Sequence, residues 1–297
     1  MATKQFTTTE TAWCPGCGNH AIVATLAEVL NNMGLKARDV LLVGGIGQAA
    51  KLNQYVSANG FSGLHGRALP AAVAAKMANE ALTVIVNSGD GDSYGEGGNH
   101  FLHNVRRNVD ITHFVHDNQV YGLTKGQVSP TSCACADLPS AACNLSMPLN
   151  PLMVALAAGA TFVARAFSGK PEHLAGVMEA AIRHKGYALV DILQPCVSFN
   201  KVNTFAWYNE RVYELDKRYN PENFAAAMEK SAEFGEKIPI GILYQSQKPT
   251  YHQMHPEIYT GTPLIDQKVK PDKLDALLNG YRYATEKTEK NTKEAGV

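Results

Sequence analysis

Hydrophobic residues along this chain alternate between helical spacing and short extended runs. Apolar side chains recur every three or four positions over residues 21–33, which predicts an amphipathic helix. Apolar runs at 40–45 (VLLVGG), 82–87 (LTVIVN) and 111–116 (ITHFVH) predict buried strands. The same alternation predicts strands at 161–167 and 188–193 and helices at 71–80, 100–107, 151–158 and 171–184. Strands that alternate with helices predict an α/β fold, a mostly parallel sheet with helices on both faces.

The alternation stops near residue 200. Residues 200–297 are richer in Tyr, Lys, Glu and Pro than the residues before them. We therefore divide the chain into a main domain, 1–199, and a C-terminal extension, 200–297.

The charge balance and the apolar segments exclude several classes of protein. Lys and Arg together number 27, as do Asp and Glu, so the net charge gives no reason to expect nucleic acid or an anionic membrane as a partner. The longest apolar run, 152–164, is broken by Gly159 and is too short to span a bilayer. The polar N-terminus lacks the apolar core of a signal peptide. We expect a cytoplasmic protein whose six cysteines are free thiols or metal ligands.

Polar loops follow two of the predicted strands. The sequence SGDGD, with Asp90, comes after the second strand, and DNQVYG, with Asn118, comes after the third. Because ligands of parallel sheets bind at the carboxyl ends of the strands, we expect these loops to meet at one edge. Carboxylate and amide oxygens suit Mg²⁺, whose remaining positions phosphate and water can fill. Gly89 and Gly91 would let the backbone approach phosphate closely.

A second candidate site begins with TAWCPGCGNH near the N-terminus. Cys14 and Cys17 are three positions apart and are joined by Pro15 and Gly16, which is typical of half a metal site. The sequence has no second CxxC pair to complete a zinc site of four soft ligands. The CxC in the loop TSCACADLPSAACN is more typical of free thiols.

Residues 89–132 carry the longest recognisable motif, GDGD…GGNHFLHNVRRNVDIT…DNQVYGLTKGQVSPTS. This stretch resembles the β subunit of the 2-oxoacid:ferredoxin oxidoreductases, and it is most similar to the 2-oxoglutarate and general 2-oxoacid branch. The TAWCPGCG start, the GIG turn at 45–47, LHGRALP at 64–70 and QPC at 194–196 also match. The resemblance implies a thiamine diphosphate-binding fold, of which this chain forms the diphosphate-binding half.

The resemblance also implies specific ligands for the cofactor and the substrate. Mg²⁺ is expected at Asp90, Asn118 and the carbonyl of Val120. Lys51 and Leu123 match positions that contact the 2-oxoacid, and Lys125 is a weaker candidate. The positions expected to line the cofactor are Gly45, Ile46, Gly47, His65, Gly91, Asp92, Gly122 and Leu123.

The activity implied by the resemblance is the oxidative decarboxylation of a 2-oxoacid to acyl-CoA and CO₂, with electrons passing through an iron–sulfur cluster to ferredoxin. Thiamine enzymes need a glutamate against the aminopyrimidine, and in this family it comes from the α subunit. The resemblance therefore implies an obligate α partner, with coenzyme A and a 2-oxoacid as substrates.

The expected 4Fe–4S cluster is where the sequence departs from the family. Cys14, Cys17 and Cys196 match three of the four cysteine ligands, but Gln48 stands at the fourth position. Thiolates are the usual ligands of such clusters. The cluster is therefore expected either to have an open or weakly bound fourth iron, or to recruit one cysteine from the group Cys133, Cys135 and Cys143.

Loss of the cluster would leave a nonoxidative thiamine diphosphate-dependent 2-oxoacid decarboxylase subunit, which is the second interpretation. The third is a noncatalytic, zinc-stabilised scaffold with a decayed cofactor site. The intact pair Asp90 and Asn118 counts against such decay.

Overall fold

The computed structural model describes residues 5–133, 146–256, 258–268, 271–276 and 278–281. Its strands are β1 (Val40–Gly44), β2 (Asn59–Ser62), β3 (Thr83–Gly89), β4 (Thr112–Asp117), β5 (Val120–Tyr121), β6 (Gln127–Val128), β7 (Phe162–Phe167), β8 (Ala188–Leu193), β9 (Val212–Glu214) and β10 (Ile238–Gln245). Its α-helices are α1 (Asn19–Asn32), α2 (Ala68–Ala78), α3 (Gly98–Arg107), α4 (Pro151–Ala157), α5 (Pro171–Arg183), α6 (Phe205–Asn209), α7 (Phe224–Ala232) and α8 (Tyr251–Met254).

Eight of these strands form one sheet in the order β2-β1-β3-β4-β8-β7-β10-β9. Neighbouring strands are parallel throughout, except that β10 runs antiparallel to β7. The strands β5 and β6 form a separate two-stranded ribbon. The predicted mostly parallel sheet is thus confirmed.

Helices cover both faces of this sheet, as predicted. On one face, α1 and α5 bury residues such as Leu26 and Val177 against Ile85 of β3. On the other face, α2, α3, α4 and α7 enclose a second core that includes Val86 and Val105. No helix within the described ranges has both the length and the apolar character needed to cross a membrane. The central strands are buried on both sides, which explains their continuous apolar runs.

The C-terminal segment continues the sheet of the preceding residues. Its strand β10 pairs with β7, and β9 pairs with β10. Farther on, the Nδ2 of Asn108 lies 3.1 Å from the carbonyl of Pro249, which ties the segment to the end of α3. The described part of the extension is therefore not a detached unit, and the boundary at 199/200 stays a prediction.

The carboxyl ends of β1, β3, β4 and β8 lie at one edge of the sheet, because these strands are neighbours and parallel. A π-helix, Gly91–Glu96, follows β3 at this edge and leads directly into α3. π-helices are rare and often occur at functional sites. The loops after β3 and β4, which carry Asp90 and Asn118, therefore meet at the edge of the sheet that the sequence predicted.

Candidate active site

A cavity of about 80 Å³ opens at this edge, and we call it the front cavity. It is bounded by the loops after β1, β3 and β4 and by the loop before α2. The predicted cofactor, metal and substrate positions that line it are Ile46, Gly47, His65, Asp90, Gly91, Asp92, Asn118, Val120, Gly122 and Leu123. Lys51 and Lys125 are not among its lining residues. Gly45 is not a lining residue either, and it packs against Asp92, because a Cβ added at Gly45 would lie 2.1 Å from Asp92 Oδ2.

Asp90 is fully buried at the end of β3 and shares a hydroxyl with a second buried acid. The Oγ1 of Thr131 lies 2.7 Å from Asp90 Oδ2 and 2.8 Å from Asp117 Oδ1. A hydroxyl has one proton and can donate it to only one of the two carboxyl groups at a time. Thr131 therefore fixes one oxygen of Asp90 and couples it to Asp117.

The carboxyl groups around Asp90 form a buried acidic cluster. Burial raises the pKa of Asp90, and burial, together with the neighbouring charges of Asp191 and Asp90, raises the pKa of Asp117 well above its usual value. Burial also raises the pKa of Asp191 to about 6, although Arg165 and a hydrogen bond from Tyr94 act in the opposite direction. Arg165 is a single positive charge among three buried carboxyl groups, and a bound divalent cation would supply more, so the donor set fits Mg²⁺.

The turn after β4 is held in one conformation by its own side chains. Asn118 Oδ1 accepts a hydrogen bond of 3.0 Å from the N–H of Val120, and Asp117 Oδ1 accepts one of 3.1 Å from the N–H of Gln119. Gln119 has a φ of 56°, and Ser132 Oγ donates to its carbonyl at 2.5 Å. This turn places Asn118 and Val120 on the wall of the same cavity as Asp90.

Asp92 joins three loops at the mouth of the front cavity. Its Oδ1 accepts hydrogen bonds from the N–H groups of Ile46 and Gly66, at 3.1 and 2.7 Å. The same oxygen lies 2.8 Å from His65 Nδ1. The Nε2 of His65 is 3.6 Å from a carboxylate oxygen of Glu96. Asp92 therefore orients His65, whose side chain remains 37% exposed at the mouth.

Three predicted cluster ligands, Cys14, Cys17 and Cys196, line a second cavity of about 50 Å³, which we call the cysteine cavity. Ser198 Oγ donates to Cys14 Sγ at 3.1 Å, and Gln194 Nε2 donates to Cys17 Sγ at 3.5 Å. Burial, reinforced by the two neighbouring thiols, raises the pKa of Cys17 to about 11.

Gln48 lies in the wall between the two cavities. Gln48, Asn118 and Gly122 line both of them. Gln48 Oε1 is buried and has no hydrogen-bond partner among the described residues. Anywhere in the described residues, no group of three or more His, Cys, Asp or Glu side chains lies close enough together to bind a single metal ion. A cluster distributes its ligands over several irons, and three thiols around one cavity fit that arrangement.

The other cysteines do not complete this set within the described residues. Cys133 Sγ lies 3.5 Å from Gln119 Oε1 and lines a different cavity, beside Asp117 and Arg165. Cys135 and Cys143 lie outside the described residues. Among the described residues, the amide side chain of Gln48 lines the cysteine cavity together with the three thiols, and the expected fourth ligand stays a prediction.

Comparison with known proteins agrees with this geometry. The model of the thiamine pyrophosphate enzyme C-terminal TPP-binding domain matches residues 44–192, and the model of the C-terminal region of the pyruvate ferredoxin oxidoreductase β chain matches residues 196–260. The 2-oxoacid:ferredoxin oxidoreductase subunit β of Saccharolobus solfataricus is 43% identical over 258 residues, which cover 81% of this chain and 84% of the relative. The chain belongs to the β subunits of the 2-oxoacid:ferredoxin oxidoreductases.

Two further relatives extend this comparison. The 2-oxoglutarate oxidoreductase subunit KorB of Mycobacterium tuberculosis is 43% identical over 199 residues, which cover 66% of this chain and 53% of KorB. A solved structure of the 2-oxoglutarate:ferredoxin oxidoreductase from Magnetococcus marinus, with 2-oxoglutarate, coenzyme A and succinyl-CoA bound, is 34% identical and has a TM-score of 0.85. That match covers 91% of this chain and 94% of the solved one. The prediction of an oxidoreductase subunit is confirmed, and the nonoxidative and scaffold interpretations are not favoured.

Sequence reasoning did not assign several residues that shape the site of this β subunit. Thr131 stands within the quoted SPTS stretch, but a threonine carries no signal of its own in one sequence. Asp191 and Arg165 lie on strands for which the sequence predicted burial but no role in the site. The charges inside those apolar runs were a signal that could have found them, because buried charges are rare unless they have a partner.

Proposed function

We propose that this β subunit binds thiamine diphosphate through Mg²⁺ in the front cavity and oxidises a 2-oxoacid of the 2-oxoglutarate class. The observation that carries the proposal is the meeting of Asp90 and Asn118 on the wall of one cavity, at the carboxyl ends of β3 and β4. The match to the thiamine pyrophosphate domain over residues 44–192 supports the same assignment.

The chain's own residues hold the cofactor and shape its pocket. Asp90, Asn118 and the carbonyl of Val120 would bind Mg²⁺. Gly47 has a φ of 126°, and an added Cβ there would meet nothing within 4 Å, so the GIG turn leaves space for a bound group. When bound, thiamine diphosphate supplies the electron sink for decarboxylation. Leu123, which lines the cavity, and Lys51, on the short helix after the GIG turn, are assigned to the 2-oxoacid.

The cysteine cavity is assigned to an iron–sulfur cluster that accepts the electrons. Cys14, Cys17 and Cys196 would hold three irons, with Gln48 beside the fourth. The wall shared by the two cavities supports direct electron transfer between their occupants. Ferredoxin is the proposed electron acceptor and coenzyme A the proposed acyl acceptor, and the solved relative contains coenzyme A and succinyl-CoA.

An α subunit is assigned as the obligate partner, because the relatives are β subunits and the activating glutamate is expected from the other chain. The isolated chain should therefore show no coenzyme A-dependent turnover of any 2-oxoacid. Free thiols at Cys14, Cys17, Cys133 and Cys196 support a cytoplasmic location.

Calorimetry on the assembled complex tests the cofactor assignment. Asp90→Ala should abolish binding of Mg²⁺–thiamine diphosphate, whereas Asp216→Ala, a change at an exposed aspartate that pairs with Arg218, should leave it unchanged. Equal affinity in the wild type and the Asp90 variant would refute the assignment.

Iron and sulfide analysis with electron paramagnetic resonance on anaerobic complex tests the cluster. Zinc at Cys14 and Cys17 without iron or sulfide would contradict it.

A further inference from the structure

An asparagine in the wall of the cysteine cavity carries a buried donor that the fold does not use. Asn19, the first residue of α1, lines this cavity and is only 1% exposed. Its Oδ1 lies 2.7 Å from His116 Nδ1, whereas its Nδ2 has no hydrogen-bond partner in the part of the chain that the structure describes. Buried amide donors are rarely left unpaired in folded proteins, so Nδ2 is suited to serve a bound group.

Helix capping does not account for this asparagine. An asparagine at a helix start usually accepts a hydrogen bond from a backbone N–H of the first turn. In α1 the N-cap residue is Gly18, and the side-chain oxygen of Asn19 is directed to His116 on β4. Asn19 therefore connects the start of α1 to the end of β4.

The contact with His116 decides which end of the amide is held by the protein. His116 is fully buried, and burial favours the neutral ring, which has one N–H group. With that proton on Nδ1, the ring donates to the Oδ1 of Asn19. The other ring nitrogen, Nε2, then carries no proton, and it has no partner within the described ranges. The amide oxygen is thus fixed by β4, and the Nδ2 group is left for the cavity.

Other donors around the cavity already act on cysteine sulfur atoms. Ser198 Oγ donates to Cys14 Sγ at 3.1 Å, and Gln194 Nε2 donates to Cys17 Sγ at 3.5 Å. Burial raises the pKa of the Cys17 thiol, and a hydrogen bond from the backbone N–H of Asn19 acts in the opposite direction. The unused Nδ2 of Asn19 therefore belongs to a set of donors gathered around sulfur.

We infer that Asn19 donates a hydrogen bond from Nδ2 to a sulfur atom of the iron–sulfur cluster and thereby raises the reduction potential of that cluster. This inference rests on the proposed function, because it assumes that the cysteine cavity holds the cluster. Hydrogen bonds to the sulfur atoms are among the factors that set such potentials. The reduced cluster carries one more negative charge than the oxidised one, so a donor stabilises the reduced form more strongly.

The anchor of this donor lies on the strand that leads to the proposed cofactor site. His116 comes two positions before Asn118, which lines both the front cavity and the cysteine cavity. Because Asn19 is buried and its oxygen is bound, the amide is oriented before an electron arrives. Donors that are oriented in advance need no rearrangement when charge develops.

Water is the other group that could bind the Nδ2 of Asn19, since a cavity of about 50 Å³ has room for it. A cluster bound by the three thiols would occupy the same space. The two occupants are distinguished by whether the amide nitrogen is magnetically coupled to the cluster.

A redox titration of the assembled complex with a matched control tests the inference. Asn19→Leu removes the donor without adding charge, and Asn32→Leu makes the same change at the exposed far end of α1. Under anaerobic conditions, electron paramagnetic resonance gives the ratio of reduced to oxidised cluster at each potential. For Asn19→Leu we expect this ratio at a fixed potential to fall about tenfold, which is about 59 mV for one electron. Asn32→Leu should match the wild type.

Hyperfine spectroscopy of the reduced cluster locates the donor without the leucine variant. Wild-type complex labelled with ¹⁵N in its asparagine side chains should show a ¹⁵N nucleus coupled to the cluster. The coupling should be lost in Asn19→Asp, which keeps the side-chain volume and an oxygen for His116, and it should persist in Asn32→Asp.

Three results would each overturn the inference while leaving the cluster assignment intact. They are equal potentials in Asn19→Leu and the wild type, equal shifts in Asn19→Leu and Asn32→Leu, and the absence of a coupled asparagine nitrogen from the wild type. The last result would assign Nδ2 to a water molecule. Wild-type complex without iron or sulfide would instead overturn both the inference and the cluster assignment on which it rests.

Discussion

Replacing Thr131 with valine removes one hydroxyl from between two buried carboxyl groups and keeps the side chain's volume almost unchanged. The hydroxyl lies 2.7 Å from Asp90 and 2.8 Å from Asp117. Asp90 must be ionised to hold the proposed Mg²⁺, while burial raises its pKa and favours the neutral form. The hydrogen bond from Thr131 offsets part of that effect, so its loss should let protons compete more strongly with the metal.

The expected size of the effect follows from the kind of bond that is lost. A hydrogen bond to a charged group contributes about 1.5–3 kcal/mol, and each 1.4 kcal/mol corresponds to about tenfold in affinity. We therefore expect Thr131→Val to weaken binding of Mg²⁺–thiamine diphosphate by about tenfold to a hundredfold at neutral pH. The loss should be smaller at higher pH, where Asp90 is more fully ionised.

Isothermal titration calorimetry at two pH values measures this effect directly. Thr131→Ser retains the hydroxyl and should bind within about twofold of the wild type, which separates the hydrogen bond from side-chain packing. Wild-type affinity in the valine variant would refute the reasoning. So would a serine variant as weak as the valine one, since the lost methyl group would then account for the effect.

Three further changes probe other parts of the site. Lys51→Met should lower kcat/KM for the 2-oxoacid about tenfold or more and leave the cofactor affinity unchanged. The reason is that pairing between the lysine and the substrate carboxylate contributes about 1.5–3 kcal/mol. Normal kinetics in this variant would instead place Lys51 at the surface. Gln48→Cys should supply a fourth thiolate and slow the conversion of the cluster to a three-iron form in air, as followed by electron paramagnetic resonance. An unchanged rate would separate Gln48 from the cluster. Burial raises the pKa of Asp191 from 3.8 to about 6, so the stability it contributes is complete below about pH 4 and is lost as the pH rises through about 6. In cofactor-free protein, Asp191→Asn should therefore make Tm fall less steeply with pH over that range. The corresponding difference in the free energy of unfolding is about 3 kcal/mol at most. Parallel plots of Tm against pH for the wild type and the variant would contradict this.

The sequence predicted the elements that carry a continuous apolar signal. The run at 188–193 is buried on both faces, and it forms β8 over the same residues, Ala188–Leu193. The edge strand Asn59–Ser62 was not predicted, because all four of its residues are exposed and carry no apolar pattern. The strand Ile238–Gln245 was not predicted either, because the polar composition around it hid a short apolar run.

The residues of the candidate site were likewise only partly predictable from the sequence. Asp90 and Asn118 could be predicted because each follows a recognisable strand, and strand direction alone brings such loops together. Thr131 could not, because its role depends on a loop folding back onto two carboxyl groups from different strands.

The hydrogen bond between Ser198 and Cys14 joins residues 184 positions apart, and it has a consequence for the order in which the molecule forms. A ribosome must release the loop after β8 before Cys14 and Cys17 can meet Ser198 and Cys196. Closing so long a loop is entropically costly, and contacts of this kind form late in folding. Cys196 therefore stays apart from Cys14 and Cys17 during most of synthesis, so the nascent chain has only two of the three thiols with which to capture a stray metal ion. Under the proposed cluster assignment, iron and sulfide would be delivered to a chain whose sheet has already been built.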